Sequence, residues 1–116
     1  LIVDDEKMIA DLIKSLLNRS GNIDVAHNGQ EALKLMEDKY YKLVVSDIDM
    51  PIMNGLTFFT KALEKYPKLS NRFLFITGNL SPERETFFNE KHVKCLEKPM
   101  DISVLREEAK KIIISN

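Results

Sequence analysis

The chain alternates five times between a short apolar run and a longer segment with helical periodicity. The apolar runs are predicted strands, at residues 1–3, 23–26, 43–46, 72–76 and 93–96. Between them apolar residues recur every three or four positions, as at Ile9, Ile13 and Leu16, which indicates amphipathic helices. This alternation favours one parallel sheet covered by helices on both faces. The third and fourth runs are apolar at nearly every position, as strands buried on both sides are.

Local signals delimit the predicted helices. Ser20-Gly21 ends the first and Pro67 the third, because glycine favours helix ends and proline cannot continue a helix. Ser81 and Asp101 are the predicted N-caps of the last two helices. The inner faces of the first and last helices are predicted to carry Ile9, Leu12, Ile13, Leu16, Leu17, Ile102, Leu105, Ala109 and Ile112 or Ile113. Met8 falls off this stripe and is predicted to face solvent.

Length and composition restrict the classes of function. With 116 residues, 44% apolar and 30% charged, the chain fits a single domain spanning 1–116. Its net charge of −1 provides no basic surface for nucleic acid or an anionic membrane. The single cysteine, Cys95, cannot form an internal disulfide, so a reducing, cytoplasmic compartment is expected. Because Leu1 stands in the middle of a predicted strand, we expect the chain to be a fragment of a longer protein.

Residues capable of chemistry follow four of the five predicted strands. Asp4-Asp5 follow the first strand, Asp47 the third, Thr77 the fourth and Lys98 the fifth. The carboxyl ends of parallel strands share one edge of a sheet, so these side chains are predicted to meet in one cleft. Clustered carboxylates repel one another and need a counter-charge. A hard divalent cation with oxygen ligands, such as Mg²⁺, supplies one.

The same edge suits phosphoryl transfer. A carboxylate such as Asp47 can attack phosphorus and form an aspartyl phosphate. Transfer depends on positioning and on neutralising the phosphoryl oxygens, for which Lys98 is a suitable cation and Thr77 a suitable hydroxyl donor. Each residue taken singly also fits a structural role, since strand-end aspartates often cap turns and the acidic residues Asp4, Asp5 and Glu6 complement a helix N-terminus. The four positions together predict a reactive site at Asp47.

In these residues the chain resembles the receiver domains of two-component response regulators, over essentially its whole length. The matching segments are Val3-Asp4-Asp5, Ser46-Asp47-Ile48-Asp49-Met50-Pro51 with Asn54-Gly55, Phe75-Ile76-Thr77-Gly78 and Glu97-Lys98-Pro99. The resemblance implies an α/β, flavodoxin-like (βα)5 three-layer sandwich whose parallel sheet has the strand order 2-1-3-4-5. The segments 72–83 and 95–99 are similar to receivers attached to hybrid sensor histidine kinases.

The resemblance implies a phosphoryl-accepting switch. Asp47 would receive its phosphoryl group from a phosphohistidine of a histidine kinase or histidine phosphotransfer domain, which would dock on the first helix near Met8. Lys98 would pair with Asp47 and then with the phosphoryl oxygens, while Thr77 would turn inward to bond one of them. The domain would catalyse its own phosphorylation and dephosphorylation, as a monomer or weak homodimer without nucleic acid or membrane contact. The Lys98–Pro99 peptide is expected to be cis.

The resemblance also implies a Mg²⁺ site. Asp5 and Asp47 would be direct ligands, the backbone carbonyl of Asp49 would be a third, and Asp4 would act mainly through a water. Asp49 also places a further acidic side chain beside the phosphorylation site.

Four positions bear on how this chain follows the family pattern. Gly78 replaces the common alanine after the switch threonine, which predicts a more mobile loop. Cys95 stands where receivers often carry a tyrosine or phenylalanine, so coupling between Thr77 and an aromatic ring is not expected. Asn79 and Asp49 occupy positions that tune dephosphorylation in the family.

Two other interpretations remain at this point. Asp47-Ile48-Asp49 imitates the Asp-x-Asp motif of haloacid dehalogenase-type phosphohydrolases, but that family carries its nucleophile on the first strand. A pseudo-receiver that only binds proteins is the second alternative, although every expected chemical residue is present.

Overall fold

The computed structural model describes the backbone of residues 1–116 and every side chain except that of Ser20. The strands are β1 (Ile2–Val3), β2 (Val25–Ala26), β3 (Val44–Asp47), β4 (Phe73–Thr77) and β5 (Lys94–Glu97). The helices are α1 (Lys7–Leu17), α2 (Gly29–Asp38), α3 (Gly55–Lys65), α4 (Pro82–Lys91) and α5 (Ile102–Ser115). Short 3₁₀ segments lie at Asn18–Ser20 and Pro67–Arg72. None of the described helices is long and apolar enough to cross a membrane.

The five strands form one parallel sheet with the order β2-β1-β3-β4-β5. This confirms the predicted flavodoxin-like topology. In the register, Asp47 is opposite Ile76 and Thr77 is opposite Glu97. The last residues of β3, β4 and β5 therefore reach the same edge within about one residue of each other.

Alternate side chains of each strand point into two separate cores. One core joins the sheet to α2, α3 and α4, and its strand residues include Val3, Val44, Phe73 and Phe75. The other joins the sheet to α1 and α5, and its strand residues include Ile2, Val45, Leu74 and Ile76. The three layers follow from the period-2 alternation of strands whose two faces are both apolar.

An aromatic cluster supports β4 from the α3–α4 side. The Phe59 ring meets those of Phe73 and Phe75 edge-on, with centroids 4.9 and 5.5 Å apart, and Phe75 contacts Phe88 at 4.8 Å. Such ring pairs add specific geometry to the apolar area they bury. The strand that ends at Thr77 is thereby fixed against two helices.

The predicted N-caps are confirmed. Ser81 Oγ accepts a hydrogen bond from the amide of Arg84 at 3.3 Å, and Asp101 Oδ1 accepts one from the amide of Ser103 at 2.8 Å. The loop residue Asn54 caps α3 in the same way, through the Thr57 amide at 2.9 Å. This cap allows α3 to begin at Gly55, eight residues after the end of β3.

Some boundaries and orientations differ from the predictions. Leu12 and Ile102 are 44% and 48% exposed instead of lying on inner faces, because the core-facing stripe of each helix is narrower than its apolar composition suggests. β2 is limited to Val25–Ala26 and β5 begins at Lys94. Hydrogen-bond pairing to neighbouring strands sets these limits, and apolar content does not report it. The prediction for Met8 is confirmed, since it is 86% exposed.

Gly55, the first residue of α3, and Gly78, in the loop after β4, give a matched pair of substitutions. A Cβ built at Gly55 would collide with the carbonyl oxygen of Asp47 and lie 2.9 Å from Ile48 Cα. Among the described residues nothing lies within 4 Å of a Cβ at Gly78. We expect Gly55→Ala to lower the free energy of unfolding in urea by about 1–3 kcal/mol. Gly78→Ala should leave it unchanged or raise it by up to about 1 kcal/mol, because alanine restricts the unfolded chain. Equal losses for both variants would contradict the described loop packing.

Candidate functional site

Asp47 ends β3 and its side chain is only 6% exposed. Oδ1 accepts a hydrogen bond from the amide of Ile48 at 2.7 Å. Oδ2 lies 3.6 Å from Lys98 Nζ. The carboxylate is therefore held by its own loop on one side and by a cation on the other.

Asp4 follows β1 and is 2% exposed. Its amide donates to the Ala26 carbonyl at 3.0 Å, which extends the pairing of β1 with β2. Oδ1 accepts from the Glu6 amide at 2.9 Å, and Oδ2 lies 3.8 Å from Lys98 Nζ. One ammonium thus faces two buried carboxylates from different strands.

Lys98 is placed by the backbone as well as by its charge. Its amide donates to the carbonyl of Thr77 at 2.7 Å, which ties the end of β5 to the end of β4. The Lys98–Pro99 peptide is cis, as the sequence predicted. The structure therefore brings Asp4, Asp47 and Lys98 together across three strands.

The carboxylates form a group suited to a metal ion. Carboxylate oxygens of Asp4, Glu6 and Asp47 lie within 4.8 Å of one another. Hard oxygen donors of this kind fit Mg²⁺, which takes a few carboxylates and retains water ligands. Asp5, the expected direct ligand, lies outside this group with an exposed side chain.

Glu6 is a candidate ligand that the sequence interpretation did not identify. The sequence treats it as charge complementing a helix N-terminus. In the structure Glu6 is the extended N-cap residue of α1 and its side chain makes no cap hydrogen bond. Its carboxylate instead lies with those of Asp4 and Asp47, and its position directly after Asp4-Asp5 was the sequence signal for it.

Burial, with neighbouring negative charge adding to it, raises the pKa values of the buried carboxyls at the site. Burial, with the charge of Asp47 adding to it, raises the pKa of Asp4 to about 6, against the opposing effects of the Glu6 amide and Lys98. Burial likewise raises the pKa of Asp47, although Lys98 opposes the shift. A single lysine does not compensate both carboxylates, so the residues present fit a divalent cation.

Thr77 ends β4 with its side chain fully buried. Its Oγ1 accepts a hydrogen bond from the Asn79 amide at 3.1 Å. The Arg84 guanidinium of α4 lies 3.3 Å from the same oxygen and forms a salt bridge with Asp49. This pair lowers the pKa of Asp49, chiefly through the hydrogen bond from Arg84. The sequence placed Asp49 beside the site but did not identify its partner.

Cys95 lies on β5 and packs against the core shared with α3 and α4. Burial raises the pKa of its thiol to about 12, with the Arg84 charge opposing the shift. At neutral pH the side chain is therefore a neutral, weakly reactive packing group.

The raised pKa of Asp4 predicts a pH-dependent gain from Asp4→Asn. The folded protein holds the Asp4 proton up to about pH 6, whereas the unfolded chain releases it near the ordinary value of 3.8. The wild type therefore loses stability as pH rises between these values. In metal-free buffer at pH 7.5 we expect Asp4→Asn to raise the free energy of unfolding by about 1–2 kcal/mol.

The difference in the free energy of unfolding between Asp4→Asn and the wild type should vanish below about pH 4 and shrink when Mg²⁺ is added. Urea unfolding across this pH range measures it, with Asp11→Asn on the exposed face of α1 as the charge-matched control. A gain that is independent of pH would contradict the described burial of Asp4.

Comparison with known proteins identifies the family of this chain. Residues 1–110 match the family model of the response regulator receiver domain. The chain is similar to the aerobic respiration control sensor protein ArcB of Escherichia coli, with 29% identity over 113 residues, 96% of this chain and 14% of that protein. It is also similar to the response regulator receiver protein CpdR of Brucella abortus, with 29% identity over 119 residues, 99% of this chain and 95% of that protein.

A solved structure gives the same result in three dimensions. The CheY-like receiver domain protein of Methanospirillum hungatei superimposes with a TM-score of 0.86 at 28% identity, covering 98% of this chain and 91% of that one. The chain spans only about one seventh of the first curated relative it matches. The family model and the strand order agree, and the chain belongs to the response regulator receiver domains, the phosphoryl-accepting switches of two-component signalling.

Proposed function

We propose that Asp47 is the phosphoacceptor and that its phosphorylation from a phosphohistidine is Mg²⁺-dependent. The observation that carries this proposal is the buried Asp47 carboxylate, 3.6 Å from Lys98 Nζ and grouped with two further carboxylates. A nucleophile, a fixed cation and a metal-compatible cluster at one sheet edge are the parts that phosphoryl transfer needs.

The transfer itself uses side chains of this chain. A carboxylate oxygen of Asp47 forms the new P–O bond while the P–N bond of the phosphohistidine breaks and its electron pair returns to the imidazole. Lys98, already facing Asp47 Oδ2, stays beside the phosphoryl oxygens as their charge develops. Thr77 supplies a hydroxyl from the adjacent strand. When Thr77 turns toward the phosphoryl group, the conformation of the loop after β4 changes with it.

Mg²⁺ is the proposed cofactor. Asp5 and Asp47 are proposed as direct ligands with the Asp49 carbonyl, and Asp4 acts through a water, as the family resemblance implies. Glu6 joins this set because its carboxylate falls within the described group. When bound, the ion neutralises phosphoryl oxygens during transfer.

A histidine kinase or histidine phosphotransfer domain is the proposed partner, and α1 the proposed docking helix. Met8 and Leu12 are four residues apart on α1, and both are exposed. Apolar side chains at this spacing share one helix face, which suits a helical partner. Similarity to ArcB supports a place within a larger sensor protein, and the cytoplasm is the proposed compartment.

The two alternatives receive less support. The dehalogenase-type interpretation requires a nucleophile on the first strand, whereas Asp47 ends the third. A pseudo-receiver would not need the buried carboxylates of Asp4 and Asp47, which lower the stability of the fold when no cation is bound.

Substitution of the acceptor tests the proposal directly. With acetyl phosphate and Mg²⁺ we expect the wild type to gain one hydroxylamine-sensitive phosphoryl group by intact mass, and Asp47→Asn to gain none. Asp11→Asn is the control, since it removes an exposed carboxylate from α1. Equal labelling of Asp47→Asn and the wild type would refute the assignment. Repeated turnover of a phosphomonoester would favour the dehalogenase-type alternative.

Two neighbouring acids allow the metal ligands to be assigned. Loss of a residue that only supports a metal ligand weakens metal binding by about tenfold or more. If Asp5 is a direct ligand, Asp5→Asn should weaken Mg²⁺ binding by at least as much. Glu6→Gln should weaken it comparably only if Glu6 also binds the ion. Calorimetric titration at pH 7.5 measures both, with Asp11→Asn as control. A loss in Glu6→Gln without one in Asp5→Asn would replace Asp5 by Glu6 in the ligand set.

A further inference from the structure

Arg84 of α4 bridges the cleft to the loop after β3. Nη2 lies 2.6 Å from Asp49 Oδ1 and Nη1 lies 3.1 Å from Asp49 Oδ2, so the pair is bidentate. Nη1 also donates to the carbonyl of Asn79 at 2.9 Å. One side chain therefore connects α4, the loop after β3 and the loop after β4.

The same guanidinium holds the Thr77 hydroxyl. Thr77 Oγ1 accepts from the Asn79 amide at 3.1 Å and from Arg84 Nη1 at 3.3 Å, and it donates to the Asn79 carbonyl at 3.4 Å. A hydroxyl has one donor and two acceptor sites. All three are used within the β4–α4 segment, and Arg84 Nη1, which has two hydrogens for Asp49, Asn79 and Thr77, shares one of them with the Thr77 oxygen. The hydroxyl must therefore give up contacts before it can turn to a phosphoryl oxygen.

We propose that Arg84 is a positioning residue that latches Thr77 in the unphosphorylated orientation and so sets how readily the domain switches. The inference rests on the proposed role of Thr77 as a phosphoryl-oxygen donor. Phosphorylation must break the contact between Arg84 and Thr77, and the latch shifts the equilibrium toward the resting state by the strength of that contact.

The geometry requires arginine and not merely a positive charge. The planar guanidinium grips both oxygens of Asp49 while Nη1 reaches Asn79 and Thr77, which a lysine ammonium cannot do at once. Asp49 is exposed, so solvent weakens the pair and allows it to open. Arg84→Lys therefore loosens the latch without changing net charge.

The test uses two variants, a control and two measurements on the whole chain. Arg84→Lys and Asp49→Asn both break the bidentate pair, while Glu85→Gln removes an exposed charge from the same helix. The first measurement is amide hydrogen exchange at Asn79 in the metal-free, unphosphorylated protein. We expect both variants to exchange faster than the wild type and the control, because the amide donates to the latched hydroxyl.

The second measurement is affinity for beryllofluoride, a phosphoryl analogue, in the presence of Mg²⁺. We expect about fivefold tighter binding for Arg84→Lys and for Asp49→Asn, a coupling of ordinary size. In a Thr77→Ala background, the effect of Arg84→Lys should disappear, because the latch acts through that hydroxyl. Urea unfolding verifies that each variant is folded, and general loosening of the fold would not tighten binding.

The signs distinguish the latch from its rivals. Unchanged or weaker beryllofluoride binding by Arg84→Lys overturns the latch. If Arg84 acts only through its charge, the affinity of Arg84→Lys is unchanged, because lysine keeps that charge. If Arg84 binds the phosphoryl group directly, the affinity of Arg84→Lys is weaker. Unaltered Asn79 exchange also overturns it, and this result does not depend on Asp47 being the phosphoacceptor. If the wild type binds no beryllofluoride, the proposed function fails, and the proposed role of Arg84 as a latch fails with it. If the wild type binds and the variants match it, only the latch is refuted.

Discussion

The ammonium of Lys98 lies 3.6 Å from Asp47 and 3.8 Å from Asp4, and it must balance two buried carboxylates. It cannot do so fully, and burial raises the pKa of both acids. The fold therefore maintains an electrostatically unfavourable edge, which a divalent cation would relieve. The energetic cost of the resting site and its capacity to bind a cation have the same cause. Stability given up at a functional site is common among natural proteins.

The rest of the molecule makes this edge rigid. Backbone hydrogen bonds join Asp4 to β2 and Lys98 to the end of β4, so three strand ends are fixed independently of their charges. Aromatic side chains of α3 and α4 pack against the phenylalanines of β4 and hold that strand in place. The amide of Gly55 donates to the Ile48 carbonyl at 2.7 Å, which brings α3 against the loop that follows the proposed phosphoacceptor. Positioning by backbone contacts allows like charges to remain close.

A second set of contacts, centred on Arg84, connects the loop after β3 with the end of β4. Asp49 follows Asp47 by two residues, yet its carboxylate is directed to Arg84 on α4 and its charge is neutralised there. Through Thr77 and Asn79 the same arginine reaches the end of β4. With the small Cys95 at the position where receivers often carry an aromatic ring, contact between α4 and Thr77 offers a route for the conformational signal. The acidic edge and the proposed latch meet at the loop after β3, where Asp47 and Asp49 are two residues apart.

The sequence alone determined the order of elements, the parallel sheet and the set of strand-end residues, because apolar periodicity and chain order encode them. It also located the N-caps at Ser81 and Asp101 and predicted the cis Lys98–Pro99 peptide through family resemblance. Tertiary structure decided which acids share a cleft, placing Glu6 with Asp4 and Asp47 and leaving Asp5 exposed. It also decided that Asp49 pairs with Arg84, thirty-five residues away, and that Leu12 and Ile102 stay exposed. Periodicity reports which face of an element is apolar, whereas distances between side chains on different elements depend on how those elements pack.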